Sequence, residues 1–185
     1  MFFLGGRTMP NRYAMILLMI PFIALSIPSP ATAIHLQDVY NEAGPGEGYD
    51  KLVNLDPAEV YTGYMVVAGN ISCHLRGNGA LILLDTGAQI WAGASTRLDV
   101  DGCVITGGSY GLSFDYAASS VVSNCTLVGN EVGLRSWASN VTVTNCIITG
   151  NDEYGLACRE GSQPTVLYND VWGNGTLNYA AFCPT

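Results

Sequence analysis

From residue 98 onward, apolar and polar positions alternate in short runs instead of recurring at helical spacing. Leu98 and Val100, Val141 and Val143, and Thr165 and Leu167 share one parity ahead of a turn. Ile105, Leu127, Ile148 and Val171 share one parity behind it. Alternation over such short, β-branched runs predicts strands. The Asn, Gly and Asp residues between the runs supply the positive-φ turns that join them.

The pattern also repeats. VDGCVITGG from Val100, VSNCTLVGN from Val122, VTNCIITGN from Val143 and LYNDVWGN from Leu167 overlay, so that Cys103, Cys125, Cys146 and Asp170 follow one another at 22, 21 and 24 residues. A Gly-Leu marker at Gly111-Leu112, Gly133-Leu134 and Gly155-Leu156 runs in phase, each 22 apart. LRGNGALILL from Leu75 is a looser early copy, with Asn78 falling 25 before Cys103. A unit this short has no core of its own and must stack on copies of itself, with equivalent positions ~4.8 Å apart. Three short strands per turn, coiled and stacked, make an all-β parallel β-helix of about five coils. A leucine-rich repeat has a comparable period, but its L-x-x-L-x-L frame is absent.

The first 33 residues stand outside this pattern. Arg7 and Arg12 form a basic n-region, Ala14 to Ala24 an apolar h-region, and Ala31-Thr32-Ala33 a small-residue end. This reads as a signal peptide over 1–33, cleaved after Ala33, with Met9 an alternative start. The apolar run is shorter than the ~20 residues of a spanning helix, and Pro21 interrupts it. The expectation is therefore a secreted, periplasmic or cell-surface chain with no membrane span after cleavage. Residues 34–62 read as an N-terminal cap and first strand, and 63–185 as the coil.

Charge narrows the partners. The chain carries 7 Lys and Arg against 15 Asp and Glu, a formal charge of −8. Losing Arg7 and Arg12 takes it to about −10. Nucleic acid and anionic membranes are poor partners, and no nucleic-acid partner is expected, because affinity for them rests on clustered basic side chains. Calcium, cationic surfaces and neutral sugars are compatible, and no cofactor is required.

The strings NCTLVGN, NCIITGN and PTVLYNDVWGN resemble the repeats of bacterial right-handed parallel β-helix (pectin-lyase-like) domain proteins. IHLQDVYNEAG resembles that family's short amphipathic cap, with Leu36, Val39, Tyr40 and Ala43 on one side, and KLVNLDPAEVYTG its opening strand. The resemblance implies a right-handed coil with a helical cap. It implies no particular activity, since such coils occur in lyases, hydrolases, epimerases and non-catalytic surface proteins.

Cys103, Cys125 and Cys146 share parity with inward residues and read as a structural ladder beside an asparagine ladder of Asn124, Asn145 and Asn169. The alternatives are a disulfide, which parallel in-register side chains strain, or a metal-thiolate column, for which no CxxC or nearby His is present. YGLAC and YAAFC align Cys158 with Cys183, 25 residues apart, as a disulfide stapling the last coil. Cys73 has no evident partner.

In pectin-lyase-like proteins the ligand groove lies outside the strand that here follows the Gly-Leu marker. Alternation turns Leu112, Phe114 and Leu134 inward and leaves Trp91, Asp115, Trp137 and Arg159 as one outward column, with Gln89, Ser113, Arg135 and Ala157 as the next. Indole faces stack on pyranose rings, and Asp and Arg bond hydroxyls or uronate carboxylates. Trp91, Asp115, Arg135, Trp137 and Arg159 are thus the candidate sugar face; the same strip also reads as ordinary surface. β-Elimination would use an arginine base with calcium held by several carboxylates, and hydrolysis would use two facing carboxylates. Asp115 stands alone on this face, Asp99 lies on the next, and the only histidines are His35 and His74. Glu131, Asp152 and Glu153 are candidate calcium ligands in turn loops. The expectation is an exported, non-catalytic protein that binds polysaccharide or serves as a surface scaffold. The alternative is a small polysaccharide lyase or related carbohydrate-active enzyme acting on acidic glycans. An uncovered coil end invites self-association.

Overall fold

The computed structural model describes residues 33–180 and 182–183; all but the last residue of the 1–33 segment lies outside them. Three parallel sheets wrap one core. The first face stacks β2 (Lys51–Asn54), β5 (Ser72–Arg76), β8 (Arg97–Asp101), β11 (Ser120–Ser123), β14 (Val141–Thr144) and β17 (Thr165–Leu167). The second stacks β1 (Ile34–His35), β3 (Val60–Gly63), β6 (Leu81–Leu84), β9 (Val104–Thr106), β12 (Thr126–Val128), β15 (Ile147–Thr149) and β18 (Asp170–Trp172). The third stacks β4 (Met65–Val67), β7 (Gln89–Ala92), β10 (Tyr110–Asp115), β13 (Val132–Trp137), β16 (Tyr154–Arg159) and β19 (Leu177–Tyr179). The chain visits first, second and third face in turn, giving a right-handed parallel β-helix of about six turns rather than about five. The additional turn is the one made by β2, β3 and β4, so the 34–62 segment already supplies sheet strands.

Register explains why these residues pack. Val53, Leu75, Val100, Val122, Val143 and Val166 form one inward column on the first face. Tyr61, Ile82, Ile105, Leu127, Ile148 and Val171 form the second. Met65, Ile90, Leu112, Leu134, Leu156 and Tyr179 form the third. Burying each such aliphatic side chain contributes roughly 1.5–3 kcal/mol before chain ordering is offset.

The last turn corrects the expected parity. Val166 pairs with Val143 and is half-buried, whereas Thr165 and Leu167 face outward. The overlay that starts at Val166 is the right one, and a one-residue slip exchanges every inward side chain for an outward one.

A helix, α1 (Leu36–Glu42), covers the first turn, with Leu36 and Tyr40 buried on the coil end. Lys51 closes its C-terminus, Nζ donating to the carbonyls of Tyr40, Asn41 and Ala43 at 2.9, 2.9 and 3.0 Å.

Candidate functional site

The site on the third face begins with a register shift. Tyr110 pairs with Gln89 but Leu112 pairs with Ile90, so Gly111 is a bulged residue. Trp91 consequently stands in the column of Ser113, Arg135 and Ala157, while Asp115, Trp137 and Arg159 form the neighbouring column. The expected single column of Trp91 with Asp115 is corrected, and the two residues meet diagonally instead. Trp91 Nε1 donates to Asp115 Oδ2 at 2.8 Å. Its indole lies where a side chain on Gly93 would stand, 2.5 Å from that Cβ position.

Asp115 Oδ2 also receives Arg135 Nη2 at 2.5 Å, and Arg135 Nε donates to Ser113 Oγ at 3.1 Å. The guanidinium carbon lies 4.4 Å from the Tyr110 ring centre and 5.5 Å from that of Trp137. Trp91, Ser113, Asp115 and Arg135 are therefore tied into one network. Asp115 Oδ1 and Trp137 Nε1 are buried without a hydrogen-bond partner.

Beside this network the face opens into a cleft of about 430 Å³. Val132 and Ala157 lie low in it; Ala157 is the small residue in the column that carries Trp91 and Arg135. Tyr110, Arg135 and Trp137 line it together with Tyr154, Arg159, Glu153 and Glu160. Tyr110 and Tyr154 were not among the residues singled out from sequence, although each directly precedes a Gly-Leu marker. Arg159 is exposed and takes part in none of the ion pairs among the described residues.

The three corners carry ladders with one shared geometry. At the first-to-second corner Cys125 Sγ donates to the carbonyls of Ser123 and Val100, and Cys146 Sγ to those of Thr144 and Val122. Cys103, Cys125 and Cys146 are buried free thiols. Hydrogen bonding with Cys103 first, and burial after it, hold the Cys125 thiol above its ordinary pKa. The Cys146 thiol is raised by its bond with Cys125 and by burial. In the next turn Asn169 occupies the thiol column, Nδ2 donating to Val143 O at 2.8 Å and Oδ1 accepting from Cys146 N–H at 2.8 Å.

The expected asparagine ladder is thereby corrected. Asn124 and Asn145 are exposed left-handed corner residues (φ 53° and 54°), and the next member of their column is Tyr168 (φ 58°), not Asn169. The amide ladder lies at the second-to-third corner, with Asn130 and Asn151 buried and Asn174 half-buried. Asn130 Nδ2 donates to Ile105 O at 3.1 Å and Asn151 Nδ2 to Leu127 O at 3.1 Å; Asn151 Nδ2 also meets Asn174 Oδ1 at 2.8 Å. The repeated Gly-Asn at 129–130, 150–151 and 173–174 was the signal for it. This ladder also accounts for the Gly of the marker: a Cβ on Gly133 would lie 3.0 Å from Asn151 Nδ2 and 2.7 Å from Gly155 O. At the third corner Ser139 Oγ and Ser162 Oγ reach back to Phe114 O and Ser136 O.

Cys158 and Cys183 are joined in a disulfide, Cα to Cα 5.1 Å. Cys73 is a buried free thiol whose pKa burial pushes up to about 12. The candidate calcium ligands separate: Glu131 and Asp152 border one shallow depression, Glu153 the cleft. Among the described residues no three His, Cys, Asp or Glu side chains are placed to hold a metal ion.

On the first face, Asp99 is 6% exposed and engaged on both oxygens: Tyr49 O–H and Arg97 Nη2 donate to Oδ2 at 2.6 and 2.5 Å, and Val121 N–H to Oδ1 at 2.9 Å. The bond to Asp99 raises the Tyr49 pKa. This cluster ties the segment between α1 and β2 to the coil.

Comparison with known proteins finds no match among curated proteins or solved structures. Residues 63–183 match the family described as right handed beta helix region. The three stacked parallel sheets agree with that match, and the chain belongs to the right-handed β-helix family.

Proposed function

We propose that this chain is an exported, non-catalytic protein that binds polysaccharide through the cleft on the third face. A β-helix domain points to a carbohydrate-related or surface protein. The observation that carries the finer reading is the aromatic cleft itself, an elongated sheet face where Tyr110, Trp137 and Tyr154 surround a hollow of about 430 Å³. Aromatic rings with a polar edge suit the apolar faces and hydroxyl rims of sugar rings. Export is supported by the n-, h- and c-regions of residues 1–33 and by the Cys158–Cys183 bridge, which fits an oxidising compartment. A non-catalytic role is favoured because Asp115 and Arg135 are bound to each other.

The test is affinity electrophoresis of the purified protein through gels containing polysaccharides, alongside ultraviolet detection of unsaturated uronide products. Retardation that Tyr154→Ala removes, with no product, is the expected result. No retardation in any gel leaves a scaffold, and product formation that Arg159→Ala abolishes makes the chain a lyase.

A further inference from the structure

We propose that the glycan taken by this cleft is built of uncharged pyranose units rather than uronates, an inference that rests on the polysaccharide-binding reading above. A binder of acidic glycans needs cationic groups free to meet carboxylates. Two arginines face this hollow, and the structure withdraws one of them. Arg135 is held by Asp115 at 2.5 Å and by Ser113 at 3.1 Å, and it lies against the rings of Tyr110 and Trp137. The side chains of the pair are only 18% and 22% exposed. Seen from the cleft, the pair carries no net charge. Turning Arg135 toward a ligand carboxylate would leave Asp115 largely covered and without its counter-ion, which is strongly unfavourable.

The remaining lining charges are Arg159, Glu153 and Glu160, one positive against two negative. A polymer with a carboxylate on every ring meets a net negative lining on a chain whose formal charge is −8. Repulsion of that kind lowers both the encounter rate and the affinity. An uncharged pyranose chain meets no such opposition. Its C–H faces stack on Tyr154 and Trp137, and Ala157 leaves room for the ring. Its hydroxyls bond Glu153, Glu160 and Arg159 as acceptors and donors.

The experiment uses the full purified protein against a panel of neutral glucans, mannans, xylans and galactans, polygalacturonate, and a cationic glucosamine polymer. Binding is read by affinity electrophoresis and by calorimetry with matched oligosaccharides at low and high salt. The expected result is binding to a neutral polymer with a Kd that changes by less than about twofold across the salt range, because no screened ion pair contributes. Tyr154→Ala weakens that binding by at least about tenfold, and Arg159→Ala weakens it to the same extent at low and high salt, because it removes a hydroxyl contact and no screened ion pair. Ala157→Phe fills the hollow and abolishes binding; the unfolding midpoints of this variant and of the half-buried Tyr154 variant, compared with the wild type, separate that effect from misfolding. Retardation by polygalacturonate alone, weakened by salt and lost in Arg159→Ala, overturns this inference and preserves polysaccharide binding. Binding to the cationic polymer alone overturns it likewise, by assigning recognition to Glu153 and Glu160. Binding to no member of the panel overturns both readings.

Discussion

At the scale of the residue, Asn151 shows how much one buried amide does. It is 1% exposed, and its side chain bonds Leu127 O, Asn174 Oδ1 and the backbone N–H of Asn130. Removing it leaves several buried donors and acceptors unpaired, each costing about 1–3 kcal/mol. Asn151→Ala is therefore expected to lower stability by about 3 kcal/mol or more in urea denaturation, whereas exposed Asn145→Ala costs about 1–2 kcal/mol, the strain of alanine in its left-handed corner. Equal losses at the two positions would contradict the ladder assignment. Asp101 carries a pH dependence. Burial pushes its carboxyl upward, but bonds from the Ser123 hydroxyl and the Asn124 amide outweigh it and hold the pKa below the ordinary 3.8. A carboxylate depressed on folding stabilises the native state above its unfolded pKa, and that contribution is lost as pH falls through the folded value. The acid limb of the stability curve should therefore flatten below about pH 4 in Asp101→Asn, measured by denaturation at stepped pH. A limb of unchanged slope would remove Asp101 from the account.

At the scale of the element, the third face combines rigid and open parts. β10 and β13 carry the network that fixes Trp91, Asp115 and Arg135, and β16 supplies Tyr154, Ala157 and Arg159 to the open side. The outermost strand of that sheet, β19, pairs among the described residues on one side only, with β16. The Cys158–Cys183 bridge ties β16 to the segment just beyond β19 and so limits fraying next to the cleft. Closing a loop of this length is worth about 3 kcal/mol in the chain-entropy account. The double variant Cys158→Ser/Cys183→Ser should lose about that much, and reductant should shift the wild-type unfolding curve while leaving the variant's unchanged. Identical curves for both proteins would mean that the bridge contributes nothing.

At the scale of the whole molecule, the coil and its period were legible because alternation and repeat length are local properties of the chain. Cys103, Cys125 and Cys146 could be placed inward from parity alone, and Cys158 could be matched to Cys183 from the phase of the repeat. The first turn was harder to see: Lys51–Asn54 and Val60–Gly63 lack the Cys and Gly-Asn marks of later turns. The column of Trp91 was misjudged because a backbone bulge at Gly111 moves register without changing residue type. Asn169 was misplaced because its resemblance to Asn145 competed with the parity of Val166. The cleft was only half legible. Its charged and indole residues were marked by chemistry, but a hollow depends on where small side chains such as Ala157 fall between large ones in adjacent turns.

The corner ladders share a direction. The Cys, Asn and Ser donors at the three corners each find a carbonyl 24 to 26 residues earlier in the chain. Each turn is thus fastened to the one before it, back toward the end that α1 covers. As the chain emerges in order from its N-terminal end, every such donor meets an acceptor that has already emerged, so the coil can wind in that same order.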